Sequence, residues 1–257
     1  MTGPVRFVWK TISKSLVYLF FVLGASVLVT MVFPPILFFI HPAKRSSRVM
    51  RKATSITFMC MRWAMFILGL VRIHISKEDR LRLKTLRSAI VVANHPSLID
   101  VTMLISFLPQ ADCIVNARLF DKPIVRHVVR RLFVPNSIDF SRMVHSCYQS
   151  LADGNCLIIF PEGTRTRTGV RPLVKKGSAR ISLATGFPVV PVHIRANDMR
   201  GLQKGDPFYR INRKGRYTFD FVVGQPLTPL AYAGDETPAA ARKMTNDIIQ
   251  QIFPDGF

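Results

Sequence analysis

The stretch "IVVANHPSLIDVTML", residues 90–104, joins two apolar segments of different texture. Residues 90–93 are rich in β-branched side chains and read as a strand buried on both faces. From Leu98 onward the apolar residues recur at helical spacing. Pro96 cannot extend the strand, and near a helix start it forfeits no helical hydrogen bond. The stretch therefore reads as strand, sharp turn and helix. It sets Asn94, His95, Ser97 and Asp100 at the C-terminal end of a strand, where open α/β sheets place their ligand sites.

Working outward, the same alternation continues on both sides. Segments 71–76, 89–94, 112–116, 156–160, 188–194 and 217–224 read as strands. Segments 97–108, 122–133, 141–154, 175–186 and 237–253 read as helices. Strands alternating with helices predict an α/β fold: a mixed, largely parallel sheet flanked by helices. Residues 195–216 read as an irregular, mostly basic loop.

The N-terminal part has a different texture. Residues 1–77 carry eleven Lys and Arg and no acidic residue, and residues 15–40 carry no charge. At about 1.5 Å per residue that run is long enough for a bilayer core of about 30 Å. Pro34-Pro35 interrupts it near its end, and basic residues flank both sides, so a full span and a helix turned within one leaflet fit equally. Residues 53–71 are apolar around a central Arg62 and read as an amphipathic helix in the interface, with Trp63 near the headgroups, or as a core helix of the domain that follows. The expected division is 1–70, a membrane-anchoring helical region, and 71–257, the α/β domain.

The totals agree with a membrane partner. The formal charge is +21, the apolar share 49% and the mean hydropathy +0.23, with a pI near 10.8. A chain this basic seeks an anionic surface, and the long uncharged run favours a bilayer over nucleic acid. No recognition helix, zinc spacing or aromatic-interleaved basic stretch supports nucleic-acid binding. Cys60, Cys113, Cys147 and Cys156 lack metal spacing and read as reduced and mostly buried.

Asp100, on the first helical turn, can accept a hydrogen bond from Nδ1 of His95 and leave Nε2 free to take a proton. Spacing alone leaves a second reading open, in which His95 is a buried polar cap and Asp100 only favours the helix N-terminus. "IIFPEGTRTRTG", residues 158–169, again follows a buried strand. It delivers a carboxylate (Glu162), a permissive turn (Gly163), hydroxyls (Thr164, Thr166) and a guanidinium (Arg165). These suit a polar or anionic headgroup. An ordinary salt-bridged turn is the plainer reading.

Together "NHPSLID" and "FPEGTRT" resemble the lysophospholipid acyltransferase family, whose best-known members are the 1-acylglycerol-3-phosphate acyltransferases. "GFPVVPVHI", residues 186–194, resembles that family's apolar strand with a central proline. The resemblance covers about residues 70–225 and implies a membrane-associated acyltransferase. His95 matches the general base, Asp100 the residue that orients it, and Glu162, Gly163, Thr164 and Arg165 the acceptor-binding block. It implies no cofactor and no metal. The donor is a thioester of acyl carrier protein or coenzyme A, and the acceptor a lysolipid such as 1-acylglycerol-3-phosphate. The expected location is the cytoplasmic face of a bacterial inner membrane.

One departure stands out. The family's block between the two motifs ends in a basic residue that helps hold the acceptor phosphate. Here it ends Val134-Pro135-Asn136-Ser137-Ile138, leaving Arg118 and Arg142 as the nearest candidates. A specialised glycolipid or pigment lipid is thus an alternative acceptor. A non-catalytic basic membrane adaptor is the rival of another class, and an intact His95 and Asp100 speak against it. Ser97 reads as a helix cap. Lys122, Arg126 and Arg130 form a basic face, read as solvated or as a dock for acidic carrier or lipid headgroups. His74, His127, His145 and His193 have no carboxylate at a helpful spacing and read as structural.

Overall fold

The computed structural model describes residues 3–116, 130, 132–136, 139–166, 172–197, 199–207, 210, 212, 216–234 and 237–254. Its elements run α1 (Gly3–Val27), a π-helical turn (Leu28–Val32), α2 (Phe33–Phe39), α3 (Ala43–Ile67), β1 (Val71–Ile75), α4 (Lys77–Thr85), β2 (Ile90–Ala93), α5 (Asp100–Phe107), β3 (Ala111–Asn116), β4 (Phe133–Asn136), α6 (Phe140–Ala152), β5 (Cys156–Ile159), α7 (Gly177–Thr185), β6 (Val189–Ala196), β7 (Tyr217–Val223), a 3-10 turn (Pro229–Tyr232) and α8 (Thr237–Ile252).

The seven strands form one sheet in the order β1-β7-β6-β2-β5-β3-β4. Every neighbouring pair is parallel except β6 and β7. The mixed, largely parallel sheet flanked by helices is therefore as expected. Side-chain alternation sorts the core onto two faces. On one, Val91, Ala93, Ile158 and Phe219 meet Met103 and Leu104 of α5 and Met61 and Met65 of α3. On the other, Ile90, Val92, Leu157 and Val189 meet Leu151 of α6, Ile181 of α7 and Ile248 of α8. The central β2 is buried at every position, the pattern of a parallel strand covered on both sides.

Two elements differ from expectation. The helix expected over 122–133 ends in a strand: β4 takes Phe133–Asn136 and pairs with β3. Pro135 is tolerated there because β4 is an edge strand. Residues 117–129, with Lys122, Arg126 and His127, lie outside the described residues. The helix α4 had no apolar period to reveal it, since Leu83 is its one buried residue. It starts at a cap in which Ser76 Oγ accepts from Asp79 N–H.

One helical run, Phe7–Phe39, is long and apolar enough to cross a membrane by length and composition. Pro34-Pro35 do not break it. They occupy the first turn of α2, directly after the π-helical turn. The run is tied to the rest of the protein near both ends. At one, the buried Lys10 donates to the carbonyl of Asn212 (2.7 Å), and the buried Lys14 to those of Gly201 (2.8 Å) and Arg210 (2.9 Å). At the other, Leu28 and Phe33 pack on Met50 and Leu132. Just beyond, Lys44 pairs with Asp153 (2.7 Å) and Arg51 grips Asp112 with two bonds (2.6 and 2.9 Å).

The helix read over 53–71 begins at Ala43 and has two faces. Met50, Ser55, Met61 and Met65 are buried, while Ile56, Trp63, Phe66 and Ile67 are exposed. The buried face is that of a core helix, and the exposed face carries Trp63 among apolar side chains. The expected division at residue 70 thus falls between elements that share one hydrophobic core.

Candidate active site

β2 ends at Ala93, and the next residue holds the sheet together. The Asn94 amide donates to the carbonyl of Ile194 (2.9 Å) and accepts from its N–H (2.7 Å), extending the β2–β6 pairing by one side chain. This fixes the position from which His95 leaves the sheet. The His95 ring stacks on Phe160 at 4.2 Å between centroids. Its Nδ1–H donates to Asp100 Oδ2 at 2.8 Å. No protein group bonds Nε2 among the described residues.

Asp100 is fully buried and has three donors. Ser97 N–H reaches the same Oδ2 (2.7 Å), and the Ser97 hydroxyl reaches Oδ1 (2.5 Å). Burial pushes the Asp100 carboxyl up, and the bonds from His95 and Ser97 pull it back down. The expected cap role of Ser97 is only partly met: α5 begins at Asp100 with Ile99 before it, and the Ser97 hydroxyl donates to the carboxylate while its oxygen accepts from Ile99 N–H (3.3 Å).

Residues 161–166 leave β5, the parallel neighbour of β2, and wrap around the same turn. Glu162 is buried, its Oε1 accepts from the His95 main-chain N–H (2.8 Å), and its Oε2 accepts from the Thr166 hydroxyl (2.5 Å). Thr166 N–H in turn donates to the His95 carbonyl (2.8 Å). Burial pushes Glu162 up as well, opposed by Thr166 and His95 and assisted by the nearby Asp100. Gly163 has φ +66°, and a Cβ on it would lie 3.1 Å from Lys175 Nζ, so glycine serves both backbone and neighbour. Thr164 is exposed. Arg165 Nη1 donates to the carbonyls of Leu202 (3.3 Å) and Gln203 (3.2 Å), not to Glu162. The Leu202 carbonyl also accepts from Leu98 N–H (3.0 Å), which ties both motifs to one loop.

Residues 72–195, which contain both motifs, match the family model described as Acyltransferase. Over this stretch the chain is similar to the acyltransferase family. It is similar to a 1-acyl-sn-glycerol-3-phosphate acyltransferase of Cocos nucifera, 31% identical over 111 residues, 40% of this chain and 36% of that protein. A chloroplastic 1-acyl-sn-glycerol-3-phosphate acyltransferase of Arabidopsis thaliana is 30% identical over 112 residues, covering 40% and 31%. The match thus spans about a third of the length of these curated plant relatives. The solved 1-acyl-sn-glycerophosphate acyltransferase PlsC of Thermotoga maritima superposes with a TM-score of 0.64 over 94% of this chain and 97% of that one, at 22% identity. That likeness speaks for the fold.

Within the matched stretch, His95, Asp100, Glu162, Gly163 and Arg165 come together around one turn. Arg118 lies outside the described residues. Arg142 sits on α6 and pairs with Asp139 (3.0 Å). Sequence reasoning did not find the partners of Asn94, Phe160 and the 199–206 loop, which are remote in the chain. It also found no carboxylate at a helpful spacing from His74, because the partner is remote in the chain. Pairing of β1 with β7 sets His74 opposite Asp220, and Nδ1 meets Oδ1 at 2.7 Å. The four cysteines are free, and burial pushes the Cys113, Cys147 and Cys156 thiols up to about 12. Among the described residues no cluster of His, Cys, Asp and Glu is placed to hold a metal ion.

Proposed function

We propose that this protein transfers a fatty acyl group from a thioester of acyl carrier protein or coenzyme A to the hydroxyl of a lysolipid such as 1-acylglycerol-3-phosphate. The observation that carries the reading is the His95 Nδ1–Asp100 Oδ2 bond of 2.8 Å beside an Nε2 without a protein partner among the described residues. Asp100 fixes the tautomer, and Nε2 takes the proton of the acceptor hydroxyl as its oxygen attacks the thioester carbonyl. The carbon–sulfur bond then breaks, and the thiolate leaves with the proton returned by the imidazolium. Every step uses oxygen, nitrogen and sulfur groups of the chain and its substrates, with no covalent acyl-enzyme.

Glu162 is best understood as a brace for His95, since both of its oxygens are occupied within the turn. Arg165 and Gly163 are the proposed acceptor-facing members of the block, with Thr164 beside them. A phosphate-free lysolipid is the second reading. It is favoured by the bonds that hold Arg165 Nη1 on two loop carbonyls. Residues 1–70 serve as the membrane anchor and 71–257 as the acyltransferase domain. The ties near both ends of the Phe7–Phe39 run favour a hairpin lying in one leaflet over a span. A cytoplasmic-facing site on a bacterial inner membrane fits the free cysteines and the basic surface.

The test is acyl transfer by purified full-length protein on lysophosphatidic acid and on a neutral lysolipid. His95→Ala should lower turnover by roughly 10²–10⁴-fold, the range for a general base, with an unchanged circular-dichroism spectrum. Near-normal transfer by that variant would remove His95 from the chemistry.

A further inference from the structure

α3 and α4 face each other across a groove floored by the end of α5. Lys52 and Arg62 line it from α3, and Lys77, Arg80 and Lys84 from α4, with Phe107 and Pro109 below, around a volume of about 400 Å³. No acidic residue lines this groove. None of the five cationic side chains has an ion-pair partner among the described residues. On an ordinary surface such cations are interspersed with acids, as Arg82 and Asp79 are on the same α4.

Arg62 is the most constrained of the five. Its guanidinium carbon lies 4.3 Å from the centre of the Phe107 ring, and its Nε is shut off from water with no acceptor. Burial, and then the charge of Arg80, pull Arg62 down to about 10. The ring face offsets part of this. A half-buried guanidinium beside a like charge still lacks the counter-charge that burial demands.

Arg62 and Arg80 also line a second chamber, of about 700 Å³. Trp63, Phe66, Ile73, Ile75 and Phe221 form its apolar walls, while Asp79 and the His74–Asp220 pair line its polar side, so only the apolar walls suit an acyl chain and the negative head belongs in the acid-free basic chamber. A ligand that fills both chambers needs a negative head and an apolar tail joined near the two arginines. Paired guanidinium groups fit the oxygens of a phosphate better than a single carboxylate. The neighbouring Ile67 on α3 is 77% exposed, so the mouth of the apolar chamber opens beside surface suited to lipid.

We propose that the α3–α4 groove binds one anionic phospholipid, its phosphate between Arg62 and Arg80, its headgroup in the basic chamber and an acyl chain along Trp63 and Phe66. The site shares no residue with the His95 turn, so this lipid is a fixed ligand and not the acceptor. An acidic carrier protein would satisfy the charge but leaves the apolar chamber unused.

Trp9 and Trp63 are the two tryptophans, so Trp9→Phe makes fluorescence report on Trp63 alone. Full-length protein with that change, in neutral detergent, is titrated with dihexanoyl phosphatidylglycerol and with dihexanoyl phosphatidylcholine below their micellar concentrations. Saturable binding of the anionic lipid is expected, at least tenfold tighter than the zwitterionic one and weakened by salt. Arg62→Gln with Arg80→Gln should weaken it at least tenfold. Should that pair fail to fold, Lys52→Gln with Lys84→Gln, both exposed, should still weaken it several-fold. Equal affinity for the two lipids, or an affinity indifferent to whichever folded pair is tested, overturns the proposal. So does equally tight binding of inorganic phosphate, which would make this a free-anion site. A response to acidic carrier protein without one to lipid overturns it as well.

Discussion

Two His–Asp pairs in this protein are nearly identical at the atoms that touch. His95 meets Asp100 through Nδ1 at 2.8 Å, and His74 meets Asp220 through Nδ1 at 2.7 Å. Their surroundings differ. The Asp100 side chain has no exposed surface and His95 16%, against 38% for Asp220 and 57% for His74. Asp100 is held by two further bonds from Ser97, and the His95 main chain is locked to Glu162 and Thr166. The outer pair has only β-ladder pairing to align it. Contact distance is therefore a weak guide to chemistry. Burial and the groups that fix each partner separate a preorganised pair from a solvated one.

The sharpest way to break this contrast is Asp100→Asn. An amide there cannot accept from His95 and both Ser97 donors in the same way, so kcat should fall by roughly 10²–10⁴-fold. The acceptor KM should change little, because Asp100 touches no substrate. A variant with normal kcat would reduce the inner pair to the standing of the outer one.

Glu162→Gln tests the brace. It keeps an oxygen for the His95 N–H and loses the charge, and kcat/KM should drop about tenfold, the scale of one altered charge-assisted hydrogen bond. It also has a pH signature. Burial raises the Glu162 carboxyl above its ordinary 4.5, so the folded state binds a proton that the unfolded chain releases. That contribution to stability is fully present below 4.5 and lost as pH rises through the raised value. Activity should run the other way, failing as Glu162 and Asp100 protonate. Calorimetry from acid to neutral pH should therefore show a shallower decline of Tm in the variant. Equal slopes would mean that Glu162 carries no such burden.

The smallest effect is expected at the outer pair. Asp220→Asn should cost no more than about 0.5 kcal/mol, as for other exposed pairs, and leave acyl transfer unchanged. A large loss of activity would mean that exposure had been misjudged as a criterion.

Much of this was legible in the sequence because it is local. Ile90–Ala93 announces a buried strand, Pro96 ends it, and five residues separate His95 from Asp100. The strand pattern of residues 156–160 likewise placed Glu162 at a strand end. What escaped depended on distant partners or on cancelled signals. Asp220 lies 146 residues from His74, and Asn94 finds Ile194 a hundred residues on. Pro135 disguised β4, and the nearly all-polar α4 has no period, although Ser76 three residues before Asp79 is a cap signature. Glu162 stands just past a strand end as the pattern implied, but its two partners, a backbone N–H and a threonine hydroxyl, are ones that spacing does not reveal.

The bonds of Lys14 bear on how such a protein is best produced. Trimming the apolar N-terminus is the usual route to a soluble fragment. Here it would strip the ammonium from the carbonyls of Gly201 and Arg210, on the loop whose next residues hold Leu98 and Arg165. A buried acceptor left without a donor, here the Gly201 carbonyl, costs about 1–3 kcal/mol. A fragment that begins after α2 would trade greasiness for a loosened wall beside His95, so mild detergent with the whole chain is the sounder preparation.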